Sequence, residues 1–237
     1  PMSLKKKIAL SFFISAFLIA VLAAFEFVNF VEIKREIRFL ELTDTIRSKS
    51  LQLRRHEKNF FLYSPLKAEE ESKAIHSYLD ELDSLLVDTF PEGKADVLPA
   101  LRAHVLGYRG GFDAIESLLK SLLTELGKTK RAYGSYAQFF PLIESTLYER
   151  PLQAADFLER AFPAPRPHRL VDGLRELDGR ISSLRKDGEG IITVSKELDK
   201  KAREKVDSGI GMSQAAILIV FPLFLASGIL MLFLITK

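Results

Sequence analysis

Through the middle of the chain, apolar residues recur in alternating steps of three and four. Leu98, Leu101, Val105, Tyr108, Phe112, Ile115, Leu119, Leu122 and Leu126 form one series, and Ile75, Leu79, Leu82 and Leu86 form another. A third runs through Leu170, Leu174, Leu177, Ile181, Leu184, Ile191, Leu198 and Val206, with Gly188, Ser195 and Ala202 at the intervening positions. This spacing puts each series on one helix face and is the pattern of helices packed along a seam. No segment sustains a two-residue alternation, so strands are not expected. At both ends the rhythm gives way to unbroken apolar runs, Ile8–Phe25 and Ala215–Thr236. Each is long enough to cross the ~30 Å hydrocarbon core of a bilayer as a helix.

Breakers divide the region between the runs into about six helices. The first continues from the membrane through Val31 to Tyr63 and stops at Ser64-Pro65. The second covers Leu66 to Asp88, before Pro91, Glu92 and Gly93. A third, from Ala95 to Leu126, contains Gly110-Gly111; two glycines cost a helix about 1 kcal/mol each relative to alanine, so a kink or short break is expected there. A fourth spans Lys128 to Phe140 and a fifth Leu152 to Ala161, with Pro141 and Pro151 punctuating the stretch between them. After a loop holding Pro163, Pro165 and Pro167, the sixth runs from His168 into the second apolar run. The expected fold is all-α: an elongated antiparallel helical bundle of four to six helices, flanked by two transmembrane helices.

Lys5, Lys6 and Lys7 precede the first run, which by the positive-inside rule places the N-terminus in the cytoplasm. A cleaved secretory signal is the competing reading. The helical pattern, however, continues past Phe25 without a clean cleavage site, which favours an uncleaved anchor. Lys200, Lys201, Arg203 and Lys205 lie outside on this topology and argue against it, but long domains translocate largely regardless of charge. Glu26 falls near the far interface rather than in mid-membrane, and Pro222 is tolerable within the second span. The expected division is 1–7 cytoplasmic, 8–30 first span, 31–209 periplasmic domain, 210–236 second span, and 237 as the start of a cytoplasmic part that continues into an output module. That arrangement is expected of a multi-pass membrane protein, and the absence of cysteine fits a bacterial extracytoplasmic domain behind an inner membrane.

A net charge of +3 gives no reason to expect a nucleic-acid partner. Cysteine is absent, which removes disulfides, thiolate metal sites and covalent c-type haem. The four histidines, at 56, 76, 104 and 168, show no i, i+4 pairing and no H-E-x-x-H pattern, so neither a metal site nor a cofactor is expected. No phosphate-binding glycine loop or nucleophile elbow occurs, so the chain is not expected to be an enzyme.

The stretch Leu53-Arg54-Arg55-His56-Glu57-Lys58-Asn59-Phe60-Phe61-Leu62-Tyr63 resembles a segment near the distal end of the first helix in many bacterial sensor proteins. It is similar to the helical-bimodular and related helical-bundle sensor domains of chemoreceptors and sensor histidine kinases. The resemblance implies a periplasmic sensor, working as a parallel homodimer, in which arginines of the bundle clamp carboxylates or inorganic anions. It leaves open whether the output is a kinase or a chemotaxis signalling domain.

Two groups of basic residues are candidates for ligand binding. Arg54, Arg55 and Lys58 place three cations within five residues; 54 and 58 share a face and 55 points elsewhere. They either contact an anion, for which the guanidinium fork is suited, or, with Glu57, pair with neighbouring helices. Arg102 and Arg109 lie seven apart on one face near His104 and Tyr108, and either mark a pocket or are solvated. Tyr133, Tyr136, Phe139 and Phe140 form an aromatic cluster expected to cap the core. The leading expectation is the sensory and transmembrane portion of a receptor that binds a small solute, an organic or inorganic anion. The alternative is a membrane-anchored helical scaffold whose rod binds a partner protein.

Overall fold

The computed structural model describes residues 4–88, 97–162 and 168–236, which are about 95% helical with no strand among them. The elements are α1 (Leu4–Tyr63), α2 (Ala68–Asp88), α3 (Leu98–Ala132), a 3₁₀ helix (Gly134–Phe139), α4 (Phe140–Thr146), α5 (Pro151–Ala161) and α6 (His168–Thr236). The predicted turns at Pro91-Glu92-Gly93 and at Pro163–Pro167, and Lys237, lie outside the described residues.

Two predicted boundaries change. Gly110-Gly111 does not break α3, which is helical throughout Leu98–Ala132. Tyr108 and Phe112, on either side of the pair, are both completely buried. Burying two such rings contributes roughly 1.5–3 kcal/mol each, which offsets about 1 kcal/mol per glycine. The predicted fourth helix over 128–140 is also corrected. Gly127 stays helical and the α3 seam extends one step to Thr129, which is buried and donates its hydroxyl to Glu125 O at 2.9 Å. A 3₁₀ helix comes next, and α4 begins only at Phe140 with Pro141 in its first turn. Pro151 opens α5, where its missing N–H would have had no helical partner anyway.

The chain forms two compact units, one of Pro1–Glu41 with Asp199–Lys237 and one of Leu42–Leu198. In the first, α1 and α6 each carry a stretch long and apolar enough to cross a membrane, and none of either stretch is buried inside the protein. Side chains such as Phe12, Phe17, Leu218 and Phe221 are more than half exposed. Its buried residues include Phe39, Ala202 and Val206 beside polar groups. Asn29 Nδ2 donates to Gly209 O at 3.3 Å, and Ser213 Oγ donates to Glu26 Oε2 at 2.5 Å. Gly209 is required by close approach, because a Cβ there would lie 2.9 Å from Ile33 Cγ1. α6 remains helical through Pro222.

In the second unit the predicted seams are the core. Ile75, Leu79, Leu82 and Leu86 of α2 are at most 1% exposed, and eight of the nine α3 positions, all but Leu98, are buried. From α6, Leu170 to Leu198 of the predicted series are buried too. α1 adds Ile46, Leu53, Phe60 and Phe61. The hydroxyls of Ser50 on α1 and Ser195 on α6 lie 3.3 Å apart. The aromatic cluster is partly core: Phe140 is fully buried, and Tyr133, Tyr136 and Phe140 all surround Phe162 at centroid distances of 5.1–5.7 Å.

Candidate functional site

Between Leu51 and Leu62, α1 buries one face and leaves the rest wet. Leu53, Glu57, Phe60 and Phe61 point inward; Leu51, Arg55, Lys58 and Leu62 are exposed, at the spacing of one helical stripe. Glu57 is the exception on the inner face, a carboxylate only 3% exposed. Its charge is met twice. Arg54, three residues earlier, pairs with Oε2 through Nη1, and the Tyr108 hydroxyl of α3 donates to the same oxygen at 2.8 Å. Burial, reinforced by the Glu57 charge, pushes the Tyr108 phenol well above its ordinary pKa. Tyr108 therefore stays a proton donor to Glu57 across the physiological range.

Arg54 reaches this position because α6 carries glycine opposite it. A Cβ at Gly188 would lie 2.8 Å from Arg54 Cδ and 3.0 Å from Nη1. The buried carboxylate thus draws Arg54 down onto the core, while Arg55 and Lys58 remain on the surface.

Around these residues is an open cleft of about 650 Å³, lined by Leu51, Arg54, Arg55, Glu57, Lys58, Phe61, Leu62, Glu149 and Arg185. Its four cations outnumber its two carboxylates, so it is net positive. Arg54 is engaged by Glu57, and Glu149 lies 3.8 Å from Arg150. Among the described residues, no ion pair engages Arg55, Lys58 or Arg185. Three cations with a partly apolar floor of Leu51, Phe61 and Leu62 can hold a small anion bearing a short carbon skeleton.

The structure thus brings together Arg54, Arg55 and Lys58, and adds Arg185, which the sequence did not single out. It keeps Arg102 and Arg109 elsewhere. Arg102 Nη2 donates to Leu86 O at 3.4 Å, capping a carbonyl near the end of α2, and Arg109 pairs with Asp80 at 2.8 Å. Both link α3 to α2.

Histidine–carboxylate pairs also cross between helices of this unit. His56 Nδ1 meets Glu71 Oε2 at 2.5 Å, His76 Nε2 meets Glu116 Oε2 at 3.0 Å, and His104 Nδ1 meets Asp187 Oδ1 at 3.2 Å. They link α1 to α2, α2 to α3 and α3 to α6. Comparison with protein-family models, with curated proteins and with solved structures finds no match.

Proposed function

We propose that the chain is the sensory and transmembrane portion of a bacterial signal-transduction receptor that binds a small organic or inorganic anion in the Arg55–Lys58–Arg185 cleft. The observation that carries this reading is the net-positive cleft, whose cations come from α1 and α6, the two helices that also hold the membrane-length apolar stretches. On this reading the second unit is a periplasmic helical bundle, the apolar stretches are transmembrane helices, and the receptor is a parallel homodimer. An anion bridging Arg55 or Lys58 of α1 to Arg185 of α6 favours one relative placement of those helices. Only such a difference in affinity between two placements can shift an output.

The test is thermal unfolding of the full chain in mild detergent, against dicarboxylates, amino acids, phosphate and sulfate. A ligand at 100 times its Kd stabilises by about 2.7 kcal/mol. Stabilisation by at least one anion, lost in Arg55→Ala and in Arg185→Ala, is the expected result. No stabilisation by any of them, or stabilisation that both variants retain, overturns it. The exposed Leu51 and Leu62 at the cleft favour a second reading, a scaffold that docks a partner protein. That reading predicts no response to any small anion.

A further inference from the structure

His76 differs from the other two paired histidines in facing two carboxylates. Its Nε2 lies 3.0 Å from Glu116 Oε2 and 3.9 Å from Asp113 Oδ1, and one donor atom from each of the three residues falls within 4.8 Å of the others. His56 and His104, by contrast, each meet one acid. We infer that His76 of α2 and Asp113 and Glu116 of α3 form a binding site for a divalent transition-metal ion of borderline softness, with zinc the best fit.

Asp113 and Glu116 are three apart on α3 and so share the face turned to α2. Tetrahedral zinc with bonds of about 2.0–2.1 Å needs donor atoms roughly 3.3 Å apart. The His76–Glu116 separation already fits, and Asp113, the most exposed of the three, closes the rest by side-chain rotation. One neutral imidazole and two carboxylates offset the charge of a divalent ion. The donor set of one nitrogen and two oxygens suits zinc, cobalt or nickel; calcium needs six to eight oxygens and magnesium a near-octahedral oxygen shell.

Two further contacts hold the donors in place. Ser72 Oγ donates to Glu116 Oε1, which leaves Oε2 directed at His76. The His76 ring packs edge-on against the fully buried Phe112, at 5.5 Å between centroids and 66° between planes. Such outer contacts fix ligand orientation in metal sites. Ser72 and Glu116 also line a separate cleft of about 320 Å³. Two lysines line this cleft as well: Lys73 is held by Glu69 at 2.7 Å, and Lys120 is the charge that opposes the ion. The donors come from two helices and lie up to 40 positions apart, which is why no motif announces them.

The experiment is zinc titration of the full chain, tag-free and chelator-treated, in detergent at pH 7.5, by calorimetry, with cobalt absorption as a report on coordination geometry. The expected result is one zinc per chain. Affinity falls at least tenfold in His76→Ala and in the shape-conserving pair Asp113→Asn/Glu116→Gln, and about tenfold in Ser72→Ala. His56→Ala and His104→Ala keep wild-type affinity. Absence of zinc uptake by the wild type overturns the proposal, as does wild-type affinity in a His76→Ala chain whose metal-free thermal unfolding is unchanged. Equal losses in His104→Ala and His76→Ala overturn it too. The anion titration uses different residues, so either result stands without the other.

Discussion

Replacing Tyr108 with Phe removes one hydroxyl and leaves the ring packing intact. That hydroxyl is completely buried and donates at 2.8 Å to Glu57, itself 3% exposed. A hydrogen bond to a buried charged group contributes about 1.5–3 kcal/mol. Glu57 keeps Arg54 in the variant, so the cost belongs near the middle of that range, about 2 kcal/mol at pH 8. The same bond fixes how the cost varies with pH. In the unfolded chain the phenol titrates near 10; in the folded protein burial and Glu57 raise it well above that. An acid with a raised folded pKa contributes its stability fully below the unfolded value and loses it as pH climbs towards the folded one. At pH 11 ionisation favours the unfolded wild type by about 1.4 kcal/mol, a penalty phenylalanine does not share. The deficit of Tyr108→Phe therefore shrinks from about 2 to about 0.6 kcal/mol between pH 8 and pH 11. Urea unfolding of both chains in mild detergent, followed by circular dichroism, measures it. A deficit below about 0.5 kcal/mol at pH 8, or one equally large at pH 11, would refute the buried Tyr108–Glu57 bond.

Arg54→Ala and Arg55→Ala should separate by role. The first leaves buried Glu57 without its cation and lowers stability by about 2 kcal/mol, a buried-pair value discounted because Arg54 is a quarter exposed. The second changes stability by less than about 0.5 kcal/mol but weakens anion binding; the same urea midpoints read both, and equal losses refute the division of labour. Gly190→Ala puts a Cβ 2.5–2.7 Å from three atoms of the His104 ring and forces the ring off Asp187. That pair is about one-third exposed and contributes under about 1 kcal/mol, while the helix gains about 1 kcal/mol from alanine. The net change should fall within about 0.5 kcal/mol, and a loss above about 1.5 kcal/mol shows that the pair does more than solvated geometry allows. Because the chain has no cysteine, single cysteines test the proposed topology. In intact bacteria with a permeable outer membrane, Leu152→Cys should react with a membrane-impermeant maleimide and Lys7→Cys only after lysis; the reverse pattern inverts the orientation, and equal labelling removes it.

What was legible in the sequence was whatever depends on spacing along one helix. The seam from Leu101 to Leu126 and the α2 series from Ile75 to Leu86 are buried because their three-and-four rhythm puts them on one face wherever that face packs. The errors came from reading glycines as punctuation. At Gly110-Gly111 the apolar rhythm passes through without a missed step, and at Gly127 the buried stripe continues to Thr129; that continuation outweighs the local cost. A glycine therefore marks a helix end only where the apolar phase also breaks.

The polar chemistry was legible only in part, for a reason the same residues show. The cationic cluster at 54–58 could be seen because its members are sequence neighbours. Their division of labour could not, since it depends on Tyr108, 51 positions from Glu57, and on Gly188 of α6. Helical phase puts Lys58 within one turn of both Arg54 and Arg55; the buried Glu57 decides between them by drawing Arg54 inward and leaving Arg55 and Lys58 beside Arg185. Arg102 and Arg109 are engaged by the same logic, because carbonyl and carboxylate partners on α2 are within reach. In a helical protein of this kind, a basic residue is free for a ligand only after the acids of the adjoining helices have been counted. That count needs the packing of the helices as well as their periods.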